Sequence, residues 1–335
     1  MRTTLEALLK LDRPLLADGA TGTNYFDMGL GPGEPPELWN VEQPDKVRDL
    51  HRAFVDAGAD IILTNTFGCN RFRLKLHQAE DRAREIAEQA AIIASDVAEA
   101  AVRPIVVAGS VGPTGELLEP LGSMTEQGAI EAFVEEIEGL KAGGAVVAWI
   151  ETKSAAQEMR AAALAAIEVG LPYTVTASFD TAGRTMMGLR PTELIDVFAE
   201  LPVRPLAVGA NCGVGASDLL LAIQQMRHVE AVIIAKSNCG VPQFKGAEIE
   251  YTGNPELMGH YATLAVDSGA KIVGGCCGTS PEHLAEMRRQ LDRYQPGKLP
   301  SLDEIVAKTG PLTNTISVDP DPTAETPPRR RRRRQ

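Results

Sequence analysis

The sequence predicts a single (β/α)8 barrel, and three observations lead there. Eight short apolar, β-branched runs recur along its 335 residues, Ala-, Glu- and Leu-rich stretches separate them, and polar or thiol residues gather at the carboxyl ends of the runs. Alternation of strand-like and helix-like segments implies βα units and a parallel sheet, and eight such units close naturally into a barrel. An open, doubly wound sheet is the architectural alternative.

Taken in order, the first run covers residues 15–18 and ends in Asp18 ahead of a Gly-rich turn. The second, 61–65, ends in Asn65, and the third, 105–109, leads into Ser110. The fourth, 146–151, ends in Glu151, and the fifth spans 173–178. The sixth, 206–211, delivers Asn211 and Cys212; the seventh, 232–236, precedes Asn238; the eighth, 271–274, runs into Gly275, Cys276, Cys277 and Gly278. Between them, residues 79–101, 126–141 and 155–167 are rich in good helix formers, and 301–309 have the makings of one last short helix. The polar strand ends fall where such barrels build active sites. The amino-terminal ends of the runs show no comparable cluster.

A chain of this length with 44% hydrophobic residues is sufficient for one large domain. Its first thirteen residues carry charges where a signal peptide needs an apolar stretch, and five cysteines show no disulfide-like spacing, so a reducing, cytoplasmic setting is expected. No run approaches a membrane span. The net charge of −12 includes six consecutive arginines, 329–334; removing those six positive charges leaves −18. An acidic body repels phosphate backbones, which argues against nucleic acid as the barrel's substrate. The barrel is assigned to residues 1–316. Residues 317–335, rich in Asp, Pro and Thr and then Arg, lack the apolar surface to order themselves; they are expected to be a solvated tail, with RNA, another polyanion or a neighbouring acidic barrel as the sharper alternatives.

Two adjacent cysteines between glycines at a strand end make a poor core and a good metal site. With Cys212 at another strand end, three thiolates converge on one zinc ion. Structural zinc normally has four protein ligands, so a set of three cysteines leaves a position open that suits a substrate thiol. Cys69 and Cys239 are read as packing residues.

The ordered motifs 18–23 (Asp-Gly-Ala-Thr-Gly-Thr), 64–67 (Thr-Asn-Thr-Phe), 109–113 (Gly-Ser-Val-Gly-Pro), Glu151-Thr152, Asn211-Cys212 and 274–279 (Gly-Gly-Cys-Cys-Gly-Thr) resemble the homocysteine S-methyltransferase family over roughly residues 12–295. The resemblance implies that Cys212, Cys276 and Cys277 bind zinc, whose fourth ligand is the homocysteine thiol, and that the product is methionine. It also implies that Asp18 and Glu151 contact the amino acid part of homocysteine through its ammonium group. The backbone around Gly19, Ala20 and Thr21 is suited to an anion nest for its carboxylate. Asn238 lies in a segment like the family's Asn-Ala-Gly stretch, where its carbonyl either occupies or helps order zinc's fourth position when homocysteine is absent, or simply caps a turn.

Within the family, residues 36–40, 178–188 and the Arg-rich terminus look most like bacterial betaine-homocysteine methyltransferases. The chain carries the barrel and little else, which favours a small self-contained donor. A quaternary ammonium is best held by aromatic faces; Trp39, Phe67 and Phe179 are the candidates, with barrel core as the plainer role for both phenylalanines. Gly68 and Thr152 stand where animal betaine enzymes place tyrosines. The expectation is therefore zinc-dependent transfer from glycine betaine to homocysteine. The alternatives are a methylcobalamin or methyltetrahydrofolate route with a partner corrinoid protein, S-methylmethionine or S-adenosylmethionine as donor, and, outside enzymology, a zinc thiol sensor or RNA-associated scaffold.

Overall fold

The computed structural model describes residues 1–245 and 248–314, with the backbone alone for 243–245 and 248–250. All eight expected runs form strands: β1 (Leu15–Leu16), β2 (Ile61–Leu63), β3 (Val106–Val111), β4 (Val147–Lys153), β5 (Tyr173–Ala177), β6 (Ala207–Cys212), β7 (Ile233–Ser237) and, after a small hairpin of β8 (Pro242–Lys245) and β9 (Glu248–Tyr251), β10 (Ile272–Gly275). They pair in parallel in the order β1-β10-β7-β6-β5-β4-β3-β2. Ala17 bridges Ile61 in parallel, and the Asp18 N–H donates to Ile61 O at 3.0 Å, so the ends meet and the barrel closes. Closure excludes the open sheet.

Side-chain alternation along the strands divides the apolar residues between two cores. Leu15, Ala17, Ile61, Leu63, Val106, Ala108, Val147, Trp149, Ala207, Ile234 and Ile272 fill the barrel. Their neighbours, such as Leu16, Ile62, Val107, Ala148, Val208 and Val273, face outward under the helices. Gly209 is required by this packing, because a Cβ there would collide with Ile234 O on β7. The short helix Leu5–Leu9, capped by Thr4, contributes Leu5 and Leu8 to the interior core.

Expected and observed helices agree closely for Glu126–Ala142 and Ala156–Val169, while the first long helix starts at Ala83 after a 3₁₀ turn. The expected final helix spans Leu302–Thr309. Between β5 and β6 the chain makes only the 3₁₀ helix Pro191–Phe198. The tail assigned to 317–335 lies outside the described residues. No described helix is long and apolar enough to cross a membrane.

One sequence expectation is overturned at the amino-terminal end of the barrel. Asp60, just before β2, is buried and accepts both guanidinium N–H groups of Arg13 at 2.8 Å and the Leu16 N–H at 2.9 Å. Arg288 and Arg103 approach it at 3.4 and 3.7 Å. Asp60 and Arg288 are 228 residues apart in sequence, and barrel closure brings them together.

Candidate metal centre

Strand β7 lies between β6 and β10, so Cys212 at the end of β6 and Cys276 just beyond β10 flank Ser237, the residue that pairs with Cys212 and Gly275. The Cys276 N–H donates to Ser237 O at 2.6 Å. This places the three sulfurs of Cys212, Cys276 and Cys277 within 4.8 Å of one another, all half-buried. Tetrahedral zinc with bonds of about 2.3 Å needs sulfurs about 3.8 Å apart, a spacing that small side-chain rotations would give these three. Hydrogen bonds from Cys212, then from Cys276, and further from the Tyr251 hydroxyl push the Cys277 thiol down to about 3. Hydrogen bonding to Cys276 and Cys277 pushes Cys212 up. Such a set, were a divalent cation bound, would give up its remaining protons and supply three sulfur donors.

The backbone is held in unusual conformations to do this. Cys212 has φ +60°, followed by Gly213 at +75°, and a non-glycine residue there costs about 1–3 kcal/mol. Asn238 ties the two cysteine loops together, donating to Gly213 O at 2.7 Å and accepting from the Cys277 N–H at 3.1 Å. Its side-chain carbonyl is thus engaged in ordering the cysteine loops. Gly278, at φ +77°, leaves room for the Tyr251 ring, which a Cβ would meet at 2.5 Å.

The predicted carboxylates stand at the same mouth. Asp18 is buried, accepting from the Leu63 N–H at 2.7 Å and from Lys236 Nζ at 2.8 Å. Burial raises its pKa, opposed by the nearby Lys236 ammonium. Burial opposes the charge of Lys236, and Asp18 and Glu151 more than offset it. Glu151 accepts from Ser110 Oγ at 2.5 Å and is pushed up to about 7 by burial, against the pull of Lys236. Lys236 was not singled out in the sequence; the available signal is a lone cation closing an apolar strand.

Of the other predicted residues, Ala20 and Trp39 lie differently from expectation. Gly19 is needed for close approach, since a Cβ there would sit 2.5 Å from Thr279 O. The Ala20 N–H donates to that carbonyl at 3.1 Å, which removes it from the expected anion nest, and Thr21 leads into the short helix Gly22–Asp27. Trp39 is only 5% exposed, with Tyr25 packed at 5.2 Å between ring centroids and Lys46 Nζ 4.4 Å above its ring. A cation already occupies its face. Phe179 is buried in the outer core, whereas Phe67 is half-buried and packs on Gly112. Cys69 is buried with its thiol against Ala83 O, and Cys239 is buried beside Gly253; neither belongs to the metal-competent group.

The profile of the homocysteine S-methyltransferase family matches residues 15–291. Methionine synthase from Mycobacterium leprae is 31% identical over 308 residues, covering 86% of this chain and 25% of that protein. Methionine synthase from Mycobacterium tuberculosis is 32% identical over 297 residues, covering 82% and 24%. The chain thus spans about a quarter of the length of the curated relatives it matches. Among solved structures, the homocysteine methyltransferase MmuM from Escherichia coli in its metallated form superposes with a TM-score of 0.72 at 21% identity, over 85% of this chain and 99% of that one. Its oxidised form gives 0.73 at the same identity and coverage. These structures share the fold.

Proposed function

The chain belongs to the homocysteine S-methyltransferase family, and on that premise we propose that it methylates the thiol of homocysteine, giving methionine, with zinc held by Cys212, Cys276 and Cys277. The observation that carries this is the convergence of three thiols from two strand ends beside two buried carboxylates. A free thiol of pKa about 8.5 is only about 3% ionised at pH 7, and zinc, when bound, supplies the missing thiolate. Ionisation alone is worth about 30-fold, so most of the acceleration falls to residues that hold the acceptor in line with the donor.

Glu151 and Asp18 are the groups for the acceptor's ammonium. Lys236 holds Asp18 in place and offsets its charge, so the cavity does not accumulate unpaired negative charge. Ser110 fixes the Glu151 carboxylate from β3. Asn238 holds the two cysteine loops at a constant spacing.

For the donor, glycine betaine is the first reading. Its support is the sequence resemblance and Phe67, the half-buried aromatic side chain at the β2 end; Trp39, with Lys46 above it, serves the core instead. A second reading has the methyl group delivered by a corrinoid carrier on another module. It is favoured by the match to methionine synthases over only about a quarter of their length. Purified, zinc-loaded protein incubated with homocysteine and each donor in turn, with methionine measured, decides between them. Methionine from betaine supports the first reading, and methionine from methylcobalamin alone supports the second. No methionine from any donor, with no effect of homocysteine on the metal, contradicts homocysteine methylation itself.

A further inference from the structure

Asn211 is 1% exposed and uses its whole side chain. Its Oδ1 accepts from the Thr152 N–H at 2.9 Å and from Thr176 Oγ1 at 2.6 Å; its Nδ2 donates to Thr152 Oγ1 at 2.7 Å and points at Cys276 Sγ at 3.9 Å. The side chain therefore reaches from β6 across β5 to the irregular last residues of β4. Both ends of this reach are backbone outliers. Thr152 has φ +58°, and Cys212, the next residue after Asn211, has φ +60°. A β-branched residue in that region is a true outlier and persists only where its surroundings impose it. The β4–β5 register also slips between Ile150 and Lys153, which sets Glu151 and Thr152 off the regular ladder. Thr152 makes two hydrogen bonds with one asparagine, donating its N–H and accepting at Oγ1, and that asparagine is covalently joined to a cysteine of the proposed metal centre.

We propose that Asn211 is a positioning residue that sets the span between the three-cysteine centre and the Glu151 carboxylate, and so selects the length of the amino-acid thiol that bridges them. The inference rests on the proposed homocysteine methylation. Homocysteine places two methylenes between its sulfur and its α-carbon, and cysteine places one. A rigid span matched to the longer thiol rejects the shorter one, because sulfur on the metal then leaves the ammonium short of Glu151. One methylene is commonly worth about 10- to 200-fold in discrimination. A loose span surrenders that ratio without disturbing the metal.

The test uses the full chain loaded with cobalt(II) in place of zinc, titrated separately with homocysteine and cysteine while the sulfur-to-cobalt absorption is followed. Binding is thereby read without a methyl donor. Wild type is expected to prefer homocysteine by at least about tenfold. Asn211→Ala should keep one cobalt per chain, weaken homocysteine by about tenfold and bring the preference to about threefold or less. Thr152→Gly removes the hydroxyl tie and the side chain that makes the turn costly, leaves every cysteine intact, and should lower the preference in the same direction. It also decides the matter should Asn211→Ala fail to fold. An unchanged preference in folded, metal-loaded variants overturns the proposal. If homocysteine leaves the wild-type cobalt spectrum unaltered, the proposed function fails, a result separate from failure of the span.

Discussion

The two ends of the barrel are both dense in charge, and they differ in how that charge is satisfied. At the amino-terminal end, Asp60 is ringed by Arg13, Arg103 and Arg288; Arg103 also donates to Ala59 O and Val55 O, and Arg288 pairs with Asp292 while its buried Nε has no partner among the described residues. At the carboxyl end, three thiols crowd together, a glutamic acid is pushed up to about 7, and two non-glycine residues hold left-handed backbone. Polar density alone does not mark a functional end. Crowded thiols and backbone strain do, because they persist only where something further is bound or done.

The comparison breaks first at the metal. Replacing Cys212, Cys276 or Cys277 with alanine should each abolish stoichiometric zinc binding and lower methyl transfer by about a thousandfold or more, as loss of several kcal/mol of metal-derived stabilisation implies. Circular dichroism after chelation should nevertheless show a folded barrel, since the two apolar cores form without the ion. Unfolding on chelation would make the carboxyl end a structural site like the other.

Asp60→Ala should do the opposite, costing about 2–3 kcal/mol in denaturant unfolding while leaving activity per folded molecule unchanged. That lies at the low end for breaking a buried pair, because Arg13 is 41% exposed and turns to solvent when released. A large loss of turnover without loss of stability would contradict the division of labour between the two ends.

The next expected effect concerns Glu151. Burial holds its carboxyl protonated below about pH 7 and lets it ionise above, so the anion that receives an ammonium appears as pH rises. KM for homocysteine should therefore fall as pH rises through about 7. Glu151→Gln should raise KM by about tenfold and flatten that dependence. A pH profile identical in both proteins would assign the ammonium elsewhere. Smallest of all, Cys69→Ala should leave zinc content and KM unaltered, its thiol being sealed in the outer core.

Much of this was legible in the chain itself, for identifiable reasons. Strands buried on both faces appear as apolar runs, and a Cys-Cys pair next to glycines at a strand end is a rare pattern, so the barrel and the convergence of its three cysteines could be read directly. Pairings set by closure were not legible. Asp60 meets Arg288 across 228 residues and Lys236 meets Asp18 across 218, separations at which local pattern carries no information. The covering of Trp39 by Lys46 and the engagement of the Ala20 N–H depend on three-dimensional packing in the same way. The hairpin β8–β9 escaped because its strands, Pro-Gln-Phe-Lys and Glu-Ile-Glu-Tyr, intersperse polar residues and form no apolar run.

The most direct measurement is zinc X-ray absorption on the loaded chain, with and without homocysteine. The account predicts three sulfur ligands and one lighter donor at rest, becoming four sulfurs when homocysteine is added. A zinc shell that is already closed by protein donors and does not change on adding homocysteine would contradict it.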